Sequence, residues 1–239
     1  MSAIKSIRFI LGDQLSVSLA SLRDADPDHD LIVMAEPNSE ANYVAHHRQK
    51  IVFILSAMRH FAHELREKGF AVCYFDYENQ PTNSFSDALK LALKNHPVKQ
   101  VIITEPGEWR IRTEIETWAD KFGIVLDVRD DDRFFAPLSV FAEFAENRKE
   151  LRMEYFYRQL RRTTGILMEP DGKPVGGQWN FDHDNRKRLP DDHRPPSPLT
   201  FKPDNITQAL LNRVKQDFPN ACGDHESFGW AVTRRDALT

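Results

Sequence analysis

The chain is poor in cysteine, with Cys73 and Cys222 the only two among 239 residues. Two thiols cannot frame a disulfide-stapled fold or hold a four-cysteine cluster. Cys73, inside an apolar strand pattern, reads as a small buried residue. No run approaches the roughly 18 apolar residues that a membrane span needs, so a helical membrane protein is not expected. Positive charge is not in surplus either. A net charge of −4 excludes a globally basic nucleic-acid binder, although it leaves room for a local basic face. There is no Walker phosphate loop, no GxGxxG after the first strand and no GxSxG elbow, so conventional dinucleotide, NTPase and hydrolase readings lose ground. His46, His47, His60 and His63 lie close in sequence without HExxH or another recognised zinc spacing, and no metal site is expected. The first residues run straight into a strand-like segment without the three-part pattern of a secretion signal, which makes the cytoplasm the expected location.

The composition that remains, 41% hydrophobic and 28% charged, is that of an ordinary soluble protein. The length suffices for one packed domain of about 130 residues and a substantial extension. Five short apolar runs recur at Ile7 to Leu11, Leu31 to Ala35, Ala71 to Phe75, Val101 to Thr104 and Ile124 to Val128. Helix-like stretches separate them, at about Ala41 to Lys68, Ser84 to Asn95 and Glu108 to Phe122, with a looser crossover between Ser16 and Asp24. This alternation predicts an α/β fold, a Rossmann-like five-stranded parallel sheet covered by helices on both faces. Gly69 and Gly123 stand where helix C-cap glycines belong. The α/β domain is expected to occupy residues 1–133. Residues 134–239 read as a helical and irregular linker: a helical region near Ser139 to Thr164, a proline-rich connector at 165–205, and an amphipathic stretch from Ile206 to Phe218.

Candidate binding residues follow from that topology, because ligands of open parallel sheets sit at the carboxyl ends of the strands. Gly12 and Asp13 come directly after the first strand; Asp13 could accept from a ligand or simply cap its own turn. Glu36 ends the second strand, and Glu40 follows it as a further acceptor. On the expected long helix, Tyr43, His46, His47, Lys50 and Ile54 fall on one side, beside a core stripe of Ile51, Leu55, Met58, Ala62 and Leu65. That side either borders the crevice or is a solvated helix face. Glu105 to Arg110, after the fourth strand, offers a second wall, with Trp109 as a contact or a packing anchor. Farther on, Arg158, Arg161 and Arg162 share a helix face amid Tyr155, Phe156 and Tyr157, and a loop carries Trp179, Asn180, Asn185 and Arg186. Such a surface suits nucleic acid or a partner domain, or else it is a solvated face and a loop pinned to its own domain. Lastly, Thr233 to Asp236 has the spacing of a helix capping box, with an apolar lead-in at Phe228 to Val232. A helix announced so near the last residue suggests a further domain outside this chain.

Several of these segments together resemble one family. Phe9 to Ser16, Tyr43 to His47 with Lys50, Leu55 to Ala62, Thr104 to Arg110, Met153 to Arg158 and Gly176 to Asp182 are similar to the deoxyribodipyrimidine photolyase-related proteins, the iron–sulfur bacterial cryptochromes and photolyases. The resemblance covers essentially the whole chain. It implies an N-terminal α/β antenna domain, followed in the complete protein by a helical domain with FAD and a four-iron cluster on four cysteines. It implies light-driven repair of pyrimidine photoproducts in damaged DNA, with 6,7-dimethyl-8-ribityllumazine as antenna. Carried over position by position, Gly12, Asp13 and Leu15 match the first wall of the lumazine pocket. Glu36, Glu40, Tyr43, Lys50 and Ile54 match the second. Residues 176–186 would run along the helical domain toward DNA. No photochemical residue falls in this chain, which on this reading has no repair activity alone. Two alternatives remain: a nucleotide or heterocycle binder without photochemistry, and a DNA-contact scaffold.

Overall fold

The computed structural model describes residues 3–239, the side chain of Asp184 excepted. Five strands form one all-parallel sheet in the order β3-β2-β1-β4-β5: β1 (Ser6–Ile10), β2 (Asp30–Ala35), β3 (Ala71–Phe75), β4 (Gln100–Thr104) and β5 (Val125–Arg129). The fold class is therefore the expected α/β one. Every residue of β1 and β2 is buried, which is why these strands read as near-continuous apolar runs. Of the two polar residues in β1, Ser6 donates to Asp30, and the Arg8 guanidinium is matched by Asp30 at 2.7 Å and Asp24 at 2.6 Å.

Alternation along β1 assigns the two cores. Ile7 and Phe9 face a cluster built with Phe85, Ala88 and Leu89 of α3 (Phe85–Asn95), Ile111 and Ile115 of α4 (Trp109–Glu116) and Trp118 of α5 (Trp118–Phe122). Ile10 faces the other cluster, with Ile51, Val52, Leu55 and Leu65 of α2 (Arg48–Glu67). Ser84 caps α3 by accepting from Asp87 N at 3.1 Å. Gly123 closes α5 at φ 61°, the left-handed conformation that glycine adopts without a Cβ penalty.

The second cluster also contains Leu210, Leu211 and Val214 of a later helix, α8 (Asn205–Asp217), which lies on α2. The chain accordingly divides into one unit that runs to Asp131 and takes in Thr200–Thr239, and a second unit of Asp132–Leu199. The break after Asp131 lies close to the expected one at residue 133, but residues 200–239, expected in the linker, cluster with the sheet unit. The amphipathic stretch 206–218 has an apolar face that finds burial against α2, so the last forty residues belong with the sheet. At the terminus, Thr233 does cap a short helix, α9 (Arg234–Ala237), accepting from Asp236 N at 3.1 Å.

Within the second unit, α6 (Leu138–Ala145) and α7 (Met153–Thr164) meet through Phe141, Phe144 and Phe156, with ring centroids 4.9 to 6.3 Å apart. The sequence suggested one helical region here. Asn147, at φ 58°, lies in the break between the two helices.

Candidate functional site

Two loops leave the carboxyl edge of the sheet where its strand order reverses, residues 11–15 after β1 and 105–108 after β4. Connections depart in opposite directions at such a point and leave a crevice between them. Gln14, fully buried, ties the loops together: its Nε2 donates to Thr104 O at 3.0 Å and Glu105 O at 3.2 Å. Gly12 lies against α2, where a Cβ would stand 2.9 Å from Met58 Sδ and 3.6 Å from Ile54 Cγ2. A Cβ on Gly107 would stand 3.7 Å from an Asp13 carboxylate oxygen. Gly12, Asp13, Gly107, Ile54 and Met58 thus converge on one spot, apolar toward α2 and acidic toward β4. Leu15 is partly buried and packs against the core on the α2 side.

The second wall departs from expectation. Instead of one helix from Ala41, a short α1 (Asn38–Asn42) stops, a turn spans 43–47, and α2 restarts at Arg48. The turn's partner lies far away in sequence. Arg48 N donates to Cys222 O at 2.8 Å and Cys222 N to His46 O at 2.9 Å, so residue 222 pairs with the turn like a strand. Tyr43 and Lys50 therefore do not share a helix. They meet instead through His46, whose ring is 5.0 Å from that of Tyr43 and whose Nδ1 is 3.3 Å from Lys50 Nζ.

Glu36 is not a free acceptor. It is 4% exposed, and its oxygens accept from Arg59 Nε at 2.8 Å and Nη2 at 2.9 Å, from Tyr74 Oη at 2.6 Å and from Tyr77 N at 3.2 Å. Four donors fill the four lone-pair directions of a carboxylate. Burial opposes the charge on Arg59, but its bonds to Glu36 and Glu78 outweigh that and hold its pKa above the ordinary value. Burial, reinforced by the Glu36 charge, raises the Tyr74 hydroxyl well above its ordinary pKa. Glu40 is engaged as well, gripped by Arg110 through bonds of 2.7 and 2.8 Å. The Arg110 guanidinium lies 4.5 Å over the Tyr43 ring. Trp109, beside it, is 75% exposed and is not a packing anchor.

The basic face of the second unit also separates into parts. Arg161 is 6% exposed, with Nη1 3.4 Å from Trp179 O and Nη2 bonded to Leu167 O, so it builds the fold of the connector. Arg158 pairs with Glu154 and lies 5.4 Å over the Trp179 ring; Arg162 lies 4.6 Å over the same ring. Asn180 donates to Glu154 at 3.0 Å. Asn185 and Arg186 are exposed in a 3-10 turn. A cleft lined by Phe144, Arg148, Tyr155, Arg158, Gln159 and Arg162 opens along α7.

A family model described as deoxyribodipyrimidine photo-lyase-related protein matches residues 8–230. The chain belongs to that family. It is 48% identical over 230 residues to a (6-4) photolyase of Agrobacterium fabrum, an alignment that covers 95% of this chain and 45% of that protein. The chain therefore spans just under half of that relative's length. It is 21% identical over 196 residues to an uncharacterized protein of Acanthamoeba polyphaga mimivirus, covering 78% of this chain and 96% of that protein. Among solved structures, the crystal structure of a bacterial class III photolyase from Agrobacterium tumefaciens aligns with a TM-score of 0.44 at 11% identity, over 67% of this chain and 32% of that one.

In this family member, then, the crevice residues singled out in the sequence, apart from Leu15 against the core, fall into three groups. Gly12, Asp13 and Ile54 come together at the crevice. Glu40, Tyr43 and Lys50 form its rim, linked to one another by His46 and Arg110. Glu36 lies behind the rim as a structural anchor. The sequence reading left out Gln14 and Arg59, and it placed Met58 only in the core stripe. All three lie in segments that carry the family resemblance, but only the fold shows that each is tied to a loop end.

Proposed function

We propose that this chain is the antenna and linker portion of a light-dependent DNA photolyase or cryptochrome-like flavoprotein. The observation that carries the reading is the 48% identity to a (6-4) photolyase, concentrated in 45% of that protein. The crevice suits 6,7-dimethyl-8-ribityllumazine. Gly12 leaves room that a Cβ would take from Met58, Ile54 offers an apolar surface to a ring face, and Asp13 and Lys50 supply polar contacts to ring edge or ribityl hydroxyls. When bound, that group absorbs near-ultraviolet to blue light for transfer to a flavin. This chain's residues hold and orient the ring and shield it from water. The four-iron cluster does not fit the residues present, since Cys73 is half-buried and Cys222 exposed, and no other cysteine exists. FAD, the cluster and the contact with damaged DNA are assigned to the complete protein. The surface of Arg158, Arg162, Trp179, Asn180, Asn185 and Arg186 is proposed to face the helical FAD domain or DNA.

The test is an absorption spectrum of the chain after incubation with excess 6,7-dimethyl-8-ribityllumazine and desalting. Retained near-stoichiometric colour supports the antenna reading; a colourless protein at saturating ligand contradicts it for this chain. A second reading is a heterocycle binder that acts without a photochemical domain. It is favoured by the mimivirus relative, 96% of which is covered by the region matched here. Retention of a colourless nucleotide in preference to the lumazine would select it.

A further inference from the structure

The segment that returns after α8 makes a concentrated set of contacts with the start of α2. Arg48 N and Nη1 donate to Cys222 O at 2.8 Å and Gly223 O at 2.7 Å. Gln49 Nε2 donates to Ser227 Oγ at 3.2 Å, and the Trp230 ring packs edge-on to Phe53 with centroids 5.6 Å apart. At the tightest point, Gly223 has φ 76°, and a Cβ built there would stand 1.9 Å from His47 Nε2. No side chain fits between residue 223 and that imidazole. His47 itself is the N-cap of α2, its Nδ1 accepting from Gln49 N at 3.2 Å.

These contacts do more than pack. The first N–H groups of a helix have no partner within the helix, and an outside acceptor decides where the helix begins. Cys222 O takes the Arg48 amide, and Cys222 N takes the His46 carbonyl. Together they stop the chain from continuing as helix through 43–47. The turn so formed directs Tyr43 and His46 toward Arg110 and Lys50 at the crevice rim.

We propose that Cys222 and Gly223 are positioning residues of the crevice. By clamping His47, they fix the turn 43–47 and so set the orientation of Tyr43 and Lys50 toward a heterocyclic ligand. This rests on the crevice being the ligand site. It extends the site to a segment far along the chain from the rim residues it controls, and it makes Cys222 and Gly223 part of the binding unit.

The experiment compares the wild-type chain, Gly223→Ala, and the double variant Gly223→Ala with His47→Ser. Serine supplies a capping oxygen in place of the ring nitrogen while removing the ring that the new Cβ meets. Two readouts are taken: 6,7-dimethyl-8-ribityllumazine affinity by fluorescence titration, and amide hydrogen exchange. In Gly223→Ala the account predicts at least a tenfold weaker affinity and at least tenfold faster exchange across 43–50, with β1 and β4 exchanging as in wild type. The double variant recovers part of both, since the left-handed φ at residue 223 still disfavours alanine. Wild-type affinity and exchange in Gly223→Ala, or no recovery in the double variant, overturns the proposal. If wild type itself binds no lumazine, the antenna reading fails; the exchange data still decide whether the clamp sets the turn.

Discussion

Arg59 and Glu36 meet fork to fork, Nε to Oε1 at 2.8 Å and Nη2 to Oε2 at 2.9 Å, where β2 leaves the sheet. The pair joins the middle of α2 to the loop that leads into α1, and Tyr74 and Tyr77 complete its bonds from the β3 side. Removing one partner of a buried ion pair strands the other without compensation. Glu36→Ala should therefore lower the stability to urea by about 3 kcal/mol. A loss below about 1 kcal/mol, the range of a surface pair, would contradict the anchoring role.

The docking of α8 on the sheet unit gives a second expectation. Leu210 is 2% exposed within the core shared with α2. Leu210→Ala should cost about 2 to 5 kcal/mol, the range for a buried leucine truncated in a packed core. Far-UV circular dichroism during urea unfolding checks this. An effect within about 0.5 kcal/mol would mean that residues 200–239 contribute little to the unit.

Acid stability reports on Asp24. Hydrogen bonds from Arg129, then from Arg8, hold its carboxyl well below the ordinary value. The folded state thus binds this proton less readily than the unfolded chain does. Its contribution is complete above the unfolded pKa of about 3.9 and is lost as pH falls below that toward the folded value. Wild type should lose stability through this acid window more steeply than Asp24→Asn, as read from urea midpoints between about pH 5 and pH 2. Parallel curves would assign the acid sensitivity to other carboxylates.

The rim pair of Arg110 and Glu40 is more exposed, so its weight in stability is expected to be small. Arg110→Gln should change stability by less than about 1 kcal/mol, yet release Glu40 and Tyr43 from the wall after β4. Dissociation of the lumazine, followed by stopped-flow fluorescence, should become several-fold faster. An unchanged rate would remove Arg110 from the rim.

The parts of the fold that could be read in the sequence are those encoded by local pattern. All five strands lie within a residue or so of their apolar runs, most sharply β1 and β2, which are buried along their whole length. Gly69 and Gly123, both at positive φ, and the Thr233 cap were visible for the same reason: each is settled by its immediate neighbours. What escaped was imposed from a distance. The sequence from Ala41 to Lys68 is compatible with one helix, whereas the structure interrupts it at a turn paired with Cys222 of the returning segment. Glu36 and Glu40 look like ligand acceptors until Arg59 and Arg110 are found opposite them. Arg161 looks like surface charge until two backbone carbonyls of the connector enclose it. At the candidate site, the glycines and Asp13 were legible from topology. The rim was not, because its geometry depends on side chains brought together from α1, the start of α2 and α4.

The measurement that tests the central claim most directly is a lumazine titration of wild type against Ile54→Trp. Ile54 Cγ2 lies 3.6 Å from the point where Gly12 would carry a Cβ, so an indole at position 54 intrudes on the β1 loop that forms one side of the crevice. The account predicts saturable binding to wild type, a loss of at least a hundredfold in Ile54→Trp, and matching circular dichroism spectra for the two proteins. Equal binding by both would place the ligand elsewhere and contradict the crevice as the antenna site.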